Sequence, residues 1–297
     1  MSEHTPPICD YEDSDYQQSF WEHGGRAYED AVEAFALRRL LPPGGKAMLE
    51  LGAGAGRNTQ RYQHYQRVAL VDYSRSQLVQ AQARLGESER YLYVAADVYR
   101  LPFVDGCFDG STMIRTLHHM AEPALALSQV YRVMAPEGVF ILEFANKRNL
   151  KAIMRFWLGQ QGWNPFTPDL VEFAALNFNF HPKAIKRDLQ AIGFVIERVR
   201  TVSHFRVGFL KRTMPLRFLV GLDALLQWTG RLVQASPSVF VRARVAGKQR
   251  DAAGDVLFQC PRCQTVIPGA GDDLVCGGCG ARWPFQDGIY DFRMKTD

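Results

Sequence analysis

Residues 48–57 read Met-Leu-Glu-Leu-Gly-Ala-Gly-Ala-Gly-Arg, an apolar run that ends in three glycines spaced two apart. The run fits a buried strand, and the sequence from Arg57 onward is compatible with a helix. A strand that stops at Leu51 leaves Gly52, Gly54 and Gly56 in the intervening turn. Without a Cβ, these residues adopt strained turn conformations readily and let a ligand approach the backbone, and helix-start amides would add a positive dipole end. Such a strand–turn–helix unit points to a sheet with crossover connections and to a nucleotide-type ligand, although glycine turns also arise for purely structural reasons.

The first two thirds of the chain repeat this alternation. Strands are expected at 47–51, 67–71, 91–95, 108–114 and 139–144, separated by helical patterns. In the helix expected over 123–134, Ala124, Leu127, Val130, Tyr131 and Met134 fall near one face before Ala-Pro-Glu-Gly closes it. An amphipathic helix over 28–41 ends at Pro-Pro-Gly-Gly. After Asn149 the character changes: 150–180 is rich in Trp, Phe, Asn and Pro, a helix over 183–191 leads through Gly193 into a strand at 194–199, and a further strand fits 238–243. Between these two strands, 206–236 reads as an insert of one or two apolar helices with basic edges. The 297 residues, 47% hydrophobic, suffice for one large domain over 1–250, with 1–44 as an amino-terminal cap, and a small one over 256–297 after a polar linker at 249–255.

Net charge is only +4, but it is unevenly spread. Residues 1–33 hold nine acids and one arginine, whereas 198–250 hold eleven Lys or Arg and a single acid, Asp223. The basic stretch suits nucleic acid, an anionic membrane surface, an anionic substrate or simply a solvated face. No apolar run reaches membrane-spanning length and the polar, acidic amino terminus lacks the features of a signal peptide, so a cytoplasmic protein is expected.

Residues 68–71 run into Asp72 about twenty residues after the glycines, where an acid at a strand end can accept hydrogen bonds from two ribose hydroxyls. That much also permits NAD. The next element separates the readings: Asp97 closes the third strand in Ala-Ala-Asp-Val-Tyr-Arg-Leu-Pro-Phe, and Asp105-Gly-Cys-Phe-Asp109 leads into the fourth. In this order residues 45–145 resemble the class I S-adenosylmethionine-dependent methyltransferases, in particular the ubiquinone and menaquinone methyltransferase branch. Arg132-Val-Met-Ala-Pro-Glu-Gly138 is similar to that family's helix-to-strand turn, with Ala135 and Glu137 departing from it.

The resemblance implies an α/β protein with a Rossmann-like, doubly wound, seven-stranded sheet, mostly parallel with the last strand antiparallel. It implies that Glu50 and the Gly52, Gly54, Gly56 loop contact the methionine part of S-adenosylmethionine, Asp72 holds the ribose, and Asp97 and the Val98 amide hold the adenine. The segment 112–119, Arg115 included, would line the cleft. Each acid has a plainer alternative: Glu50 as a cap or a partner of Arg57, Asp72 as a helix cap through Ser74 and Ser76, Asp97 as a turn acid.

Methyl transfer from a sulfonium chiefly needs alignment and exclusion of water. Where the acceptor must lose a proton, His118 and His119 are candidate bases by position; the alternative has one in the core and the other packed on the cofactor. The sequence Arg115-Thr-Leu-His-His-Met120 replaces the Asp- or Asn-Pro-Pro-aromatic motif of enzymes that methylate exocyclic base amines, which argues against that acceptor class. Phe20-Trp-Glu-His-Gly-Gly-Arg-Ala-Tyr28 is expected over the cleft, either with Arg26 and Tyr28 on the methionine carboxylate or substrate, or with Phe20 and Trp21 as a packed cap. Trp157, Trp163, Phe166, Phe173, Phe178 and Phe180, with the 206–236 insert, suggest a small apolar or aromatic acceptor or a lipid-facing surface, against the plainer reading as core.

Cys9 and Cys107 are isolated, read as a tail thiol and a buried or loop thiol. Cys260-Pro-Arg-Cys263 and Cys276-Gly-Gly-Cys279, twelve residues apart, have the spacing of a tetrahedral zinc site; four protein ligands leave no open position, so the metal would be structural. Disulfides are the alternative, disfavoured in a cytoplasmic chain. Residues 256–293, ending Trp283-Pro-Phe-Gln-Asp-Gly-Ile289, resemble the small zinc-ribbon subunit that activates RNA and protein methyltransferases, which keeps RNA and protein acceptors open. A non-catalytic cofactor-binding or interaction protein is the alternative from another class.

Overall fold

The computed structural model describes residues 6–14, 19, 21, 24–86, 88–248, 257–269 and 273–294. Phe20 and the expected linker at 249–255 lie outside the described residues. Helix α1 (Ala27–Leu40) precedes strand β1 (Gly45–Leu51), β2 (Tyr65–Asp72), α2 (Arg75–Leu85), β3 (Tyr91–Ala95), β4 (Phe108–Met113), α3 (Pro123–Val133) and β5 (Met134–Ala145). Val68, Ala69, Leu70 and Val71 are buried in succession, as a parallel strand covered on both faces requires. In α2 the Ser74 side chain accepts from the Gln77 amide at 3.2 Å, and Gly86 ends the helix at φ +75°. In α3 Pro123 opens the first turn and Ala126, Leu127, Val130 and Val133 are buried.

Beyond β5 come α4 (Leu150–Trp157), a small hairpin of β6 (Val171–Ala174) and β7 (Asn177–Asn179), α5 (Pro182–Ile192), β8 (Phe194–Val202), α6 (Gly208–Thr213), α7 (Leu216–Leu226) and β9 (Ser238–Val245). The two helices α6 and α7 occupy the expected apolar insert. Short strands β10 (Phe258–Gln259), β11 (Val266–Ile267), β12 (Leu274–Val275), β13 (Arg282–Trp283), β14 (Phe285–Gln286) and β15 (Ile289–Asp291) form the cysteine-rich end.

The main sheet runs β14-β15-β3-β2-β1-β4-β5-β9-β8. β1 to β5 are parallel and β9 inserts antiparallel between β5 and β8, so the α/β, Rossmann-like architecture is as expected. The sheet has nine strands rather than seven. The two additional ones come from the cysteine-rich end, where Ile289 pairs with Tyr93 and Asp291 with Ala95, parallel to β3. β15 thereby satisfies the backbone groups along an edge that β3 would otherwise present to water.

Two further expectations are corrected. No long helix follows the glycine loop: residues after Gly56 form turns and a single 3-10 turn, Thr59–Arg61, because β2 begins already at Tyr65. Ala135-Pro-Glu-Gly138 is not a loop after α3 but the first part of β5, where Glu137 takes φ +64° beside a register shift between Phe108 and Gly110.

Candidate functional site

The loops after β1, β2, β3 and β4 converge at one edge of the sheet, where β1 and β4 diverge in connection order. Between them lies a cavity of about 120 Å³ lined by Gly52, Gly54, Asp72, Asp97, Val98, Arg115 and His119 from the expected set. Glu50, Gly56 and His118 are not among its lining residues. Thr116, from the expected 112–119 segment, is, and so are Ile8, Cys9, Tyr11 and Gln77, which no sequence motif points to. Cys9, read as a tail thiol, lines the wall, and burial raises its pKa.

Each acid has a distinct setting. The Asp72 carboxylate accepts from the Gly54 amide at 2.8 Å and the Ser74 amide at 3.0 Å. Burial, aided by Asp10 and Glu12, nevertheless pushes its pKa up to about 6 against those two bonds. Asp97 accepts from the Tyr99 amide at 2.9 Å, and burial raises its pKa. Glu50 turns away from the cavity to accept from Thr59 Oγ1 at 2.6 Å, and burial pushes it up to about 7. The alternative pairing of Glu50 with Arg57 does not form either: Arg57 is bonded to Asp30 and, at 2.9 Å, to Glu33.

Glu33, fully buried on α1, is the hub of this side of the site. It accepts from Arg57 and from Arg115 Nε at 2.7 Å, and these two cations hold its carboxyl below the usual range despite burial. Arg115 itself takes φ +55°, and its amide donates to Glu143 at 2.8 Å. A buried carboxylate on each side thus holds a non-glycine residue in a sparsely populated conformation on the cavity wall.

The two histidines separate. His119 Nδ1 lies 3.2 Å from the Leu176 carbonyl and Nε2 lies 3.1 Å from the Tyr11 hydroxyl. A carbonyl only accepts, so Nδ1 carries the proton; burial lowers the ring's pKa, and neutral Nε2 accepts from Tyr11. His118 packs its ring 3.9 Å from that of His119, outside the cavity wall, and burial with the charges of Arg115 and Arg206 pushes its pKa down strongly. Tyr28, expected over the cleft, is instead in the core, where its hydroxyl donates to Asp223 at 2.7 Å. Arg26 pairs with Glu29 at 3.3 Å. The segment that does close the cavity is 8–14: Glu12 accepts from the amides of Arg75 and Ser76 at 2.8 and 2.9 Å, at the start of α2.

At the far edge of the sheet the four cysteine sulfurs lie within 4.8 Å of one another. Cys260 and Cys279 are 3.7 Å apart, Cys263 and Cys276 3.4 Å, and all four are free thiols. The two turns match: the Gln264 amide donates to Cys260 O at 2.8 Å and the Gly280 amide to Cys276 O at 2.9 Å, with Gln264 at φ +62° and Gly280 at φ +71°. Phe258, Trp283, Tyr290 and Phe292 pack beneath them. This end braces the loop that carries Asp97: Phe292 N donates to Ala95 O at 2.8 Å, Gln259 N to Pro102 O at 3.0 Å, and Phe258 stacks on Phe103.

Residues 49–142 match the methyltransferase domain family. A demethylmenaquinone methyltransferase of Clavibacter sepedonicus is 33% identical over 110 residues, 36% of this chain and 45% of that protein. An O-methyltransferase of Aspergillus sclerotiorum is 32% identical over 103 residues, 33% of this chain and 39% of that one. The chain thus spans less than half the length of these curated relatives. Among solved structures, an S-adenosylmethionine-dependent methyltransferase from Listeria monocytogenes superposes with a TM-score of 0.54 at 18% identity, over 75% of this chain and 99% of that one. A chain of the complex between the Haloferax volcanii Trm112 methyltransferase activator and a methyltransferase does so with a TM-score of 0.52 at 14% identity, over 79% and 98%. These likenesses establish the α/β methyltransferase fold. Among the described residues, no helix is long and apolar enough to cross a membrane.

Proposed function

We propose that the protein is an S-adenosylmethionine-dependent methyltransferase acting on a small, apolar or aromatic acceptor. The observation that carries the reading is the single cavity wall built by the glycine turn and by carboxylates at the ends of β2 and β3. Asp72 would hold the ribose hydroxyls, Asp97 and the Val98 amide the adenine, and the Gly52 and Gly54 backbone the methionine part. A side chain at Gly54 would add bulk to that wall, which suits a loop approached closely by a ligand. Bound S-adenosylmethionine supplies an already activated methyl group. The chain's own part is to align the acceptor, exclude water and, for an acidic acceptor, take its proton. His119 is the candidate base, since neutral Nε2 becomes available once an acceptor displaces the Tyr11 hydroxyl; His118 has no position on the wall. The quinone methyltransferase among the relatives supports a small-molecule acceptor.

Cys260, Cys263, Cys276 and Cys279 would hold a structural zinc ion. Tetrahedral coordination at about 2.3 Å per sulfur needs sulfurs about 3.8 Å apart, close to the spacing here. Zinc would lock the two matched turns and, through Phe258 and Phe292, the Asp97 loop.

Calorimetric titration with S-adenosylhomocysteine and with NAD tests the cofactor: binding of NAD alone sinks the reading. Incubation with methyl-labelled cofactor and cell extract then names the acceptor class. Label in lipid or small molecules is expected; label in RNA or protein would move the reading to a macromolecular methyltransferase, and binding without any transfer would make the protein a non-catalytic cofactor binder.

A further inference from the structure

Helices α4 and α7 present apolar faces to solvent. On α4, Leu150, Met154, Trp157 and Leu158 recur at helical spacing and are exposed, Trp157 by 72%. From α7 into the turn that follows it, Phe218, Leu225, Trp228 and Leu232 do the same, Leu232 by 77%, while Leu219, Asp223 and Gln227 face the core. The start of α4 meets the segment that follows α7: Leu150 N donates to Ala235 O at 2.8 Å, and Asn146 Nδ2 donates to the carbonyls of Gln234 and Ser236. Both stand at the sheet edge that carries the cavity, since α4 follows the carboxyl end of β5 and the α6–α7 segment joins β8 to β9 where Val202 and Ala145 both pair with Ser238.

The exposed charges on 150–168 and 203–236 have one sign. Lys151, Arg155, Arg212, Arg217 and Arg231 are exposed. Residues 150–168 contain no acid, and 203–236 contain one, Asp223, which is buried and bonded to Tyr28 and His204. We infer that α4 and α7 seat the protein on an anionic lipid bilayer, with their apolar side chains in the interface and the five cations on the headgroups. Apolar surface with tryptophans, flanked by cations without acids, is the chemistry of an interfacial helix. A second copy is a poorer occupant, because a two-fold contact would set these cations against themselves. Seating this edge on a bilayer would bring the cavity to the source of an apolar acceptor. That consequence rests on the methyl-transfer reading, whereas the docking does not.

The test is co-sedimentation of the full chain with vesicles of phosphatidylcholine alone and of equal parts phosphatidylcholine and phosphatidylglycerol, with S-adenosylhomocysteine titration in parallel. Partition into the mixed vesicles is expected, weaker at high salt and much weaker without the anionic lipid. The exposed pair Arg217→Gln and Arg231→Gln should reduce it about fivefold per cation removed. Leu225→Ser with Trp228→Ser should reduce it tenfold or more, with cofactor affinity unchanged in both variants as proof of fold. No partition of the parent, or partition insensitive to both pairs, overturns the docking. So does a dimer in sedimentation velocity that the Leu225 and Trp228 substitutions dissolve. Vesicle binding without cofactor binding would leave the docking standing and remove the methyl-transfer reading.

Discussion

Replacing Gly52 with alanine separates two roles that the glycine turn combines. A Cβ built there lies 2.0 Å from Thr116 Oγ1 and 2.6 Å from its Cγ2, and the backbone is at φ +64°. Thr116 has little freedom to yield, because Oγ1 is bonded to the carbonyls of Leu51 at 3.2 Å and Ile114 at 3.1 Å. The left-handed conformation costs an alanine about 1–2 kcal/mol, and overpacking against a pinned side chain about 1–3 kcal/mol more, so Gly52→Ala should destabilise by about 2–5 kcal/mol. Gly54 is the internal control: at φ +51° it carries the same conformational cost, but the nearest atom to a new Cβ is Gln77 Oε1 at 3.8 Å. Gly54→Ala should therefore cost only about 1–2 kcal/mol of stability while weakening S-adenosylhomocysteine binding. Urea unfolding followed by tryptophan fluorescence, with unchanged m, reads the stability difference. Adding Thr116→Ala to Gly52→Ala removes the two closest contacts and should recover about 1 kcal/mol or more beyond additivity. Equal destabilisation at Gly52 and Gly54, with no coupling to Thr116, would refute the assignment of Gly52 to packing.

Asp72, whose folded pKa of about 6 lies above its unfolded value, makes the free protein less stable as pH rises from about 4 to about 6, since over that window the native state holds the extra proton. Cofactor affinity should rise over the same window, because the carboxylate is the form that accepts from hydroxyls; titrations in which Asp72→Asn leaves this pH dependence intact would exclude Asp72 as its source. Glu33→Ala removes the buried carboxylate shared by Arg57 and Arg115, leaving Asp30 to Arg57, and should destabilise by about 3 kcal/mol in chemical denaturation; a loss below about 1 kcal/mol would mean that the remaining partners and water compensate both cations. Mass spectrometry under non-denaturing conditions should find one zinc per chain, and chelation should lower both Tm and cofactor affinity because the cysteine-rich end is bonded to Ala95 and Pro102. Metal-free protein with undiminished affinity would uncouple the two sites.

The parts of the site that were legible in the sequence are those set locally. Asp72 and Asp97 stand at strand ends because the apolar runs before them end there, and Gly52 and Gly54 stand in the cavity wall because a parallel strand must turn at its carboxyl end. Each C-x-x-C turn brings its own two cysteines together, while the packing of one turn on the other sets Cys260 near Cys279 and Cys263 near Cys276. No long helix forms after Gly56, although the local sequence is compatible with one, because the next strand starts already at Tyr65. Tyr28 and His118 are close in sequence to segments expected at the cleft, yet the facing of each depends on distant partners: Asp223 on α7 holds Tyr28, and the Leu176 carbonyl and Tyr11 fix which histidine faces inward.

By itself, then, the sequence determined the order of strands and helices, the acids at successive strand ends and the metal-type cysteine spacing, because each is written in residues close along the chain. Only the tertiary structure decided that Glu50 turns to Thr59, that Glu33 ties Arg57 and Arg115, that residues 8–14 close the cavity, and that β15 adds to the edge of β3. Those outcomes depend on which buried charge finds a counter-charge and which open strand edge finds a partner. Apart from Glu50 and Thr59, nine positions apart, these pairings join residues tens to hundreds of positions apart, where no local pattern specifies the partner.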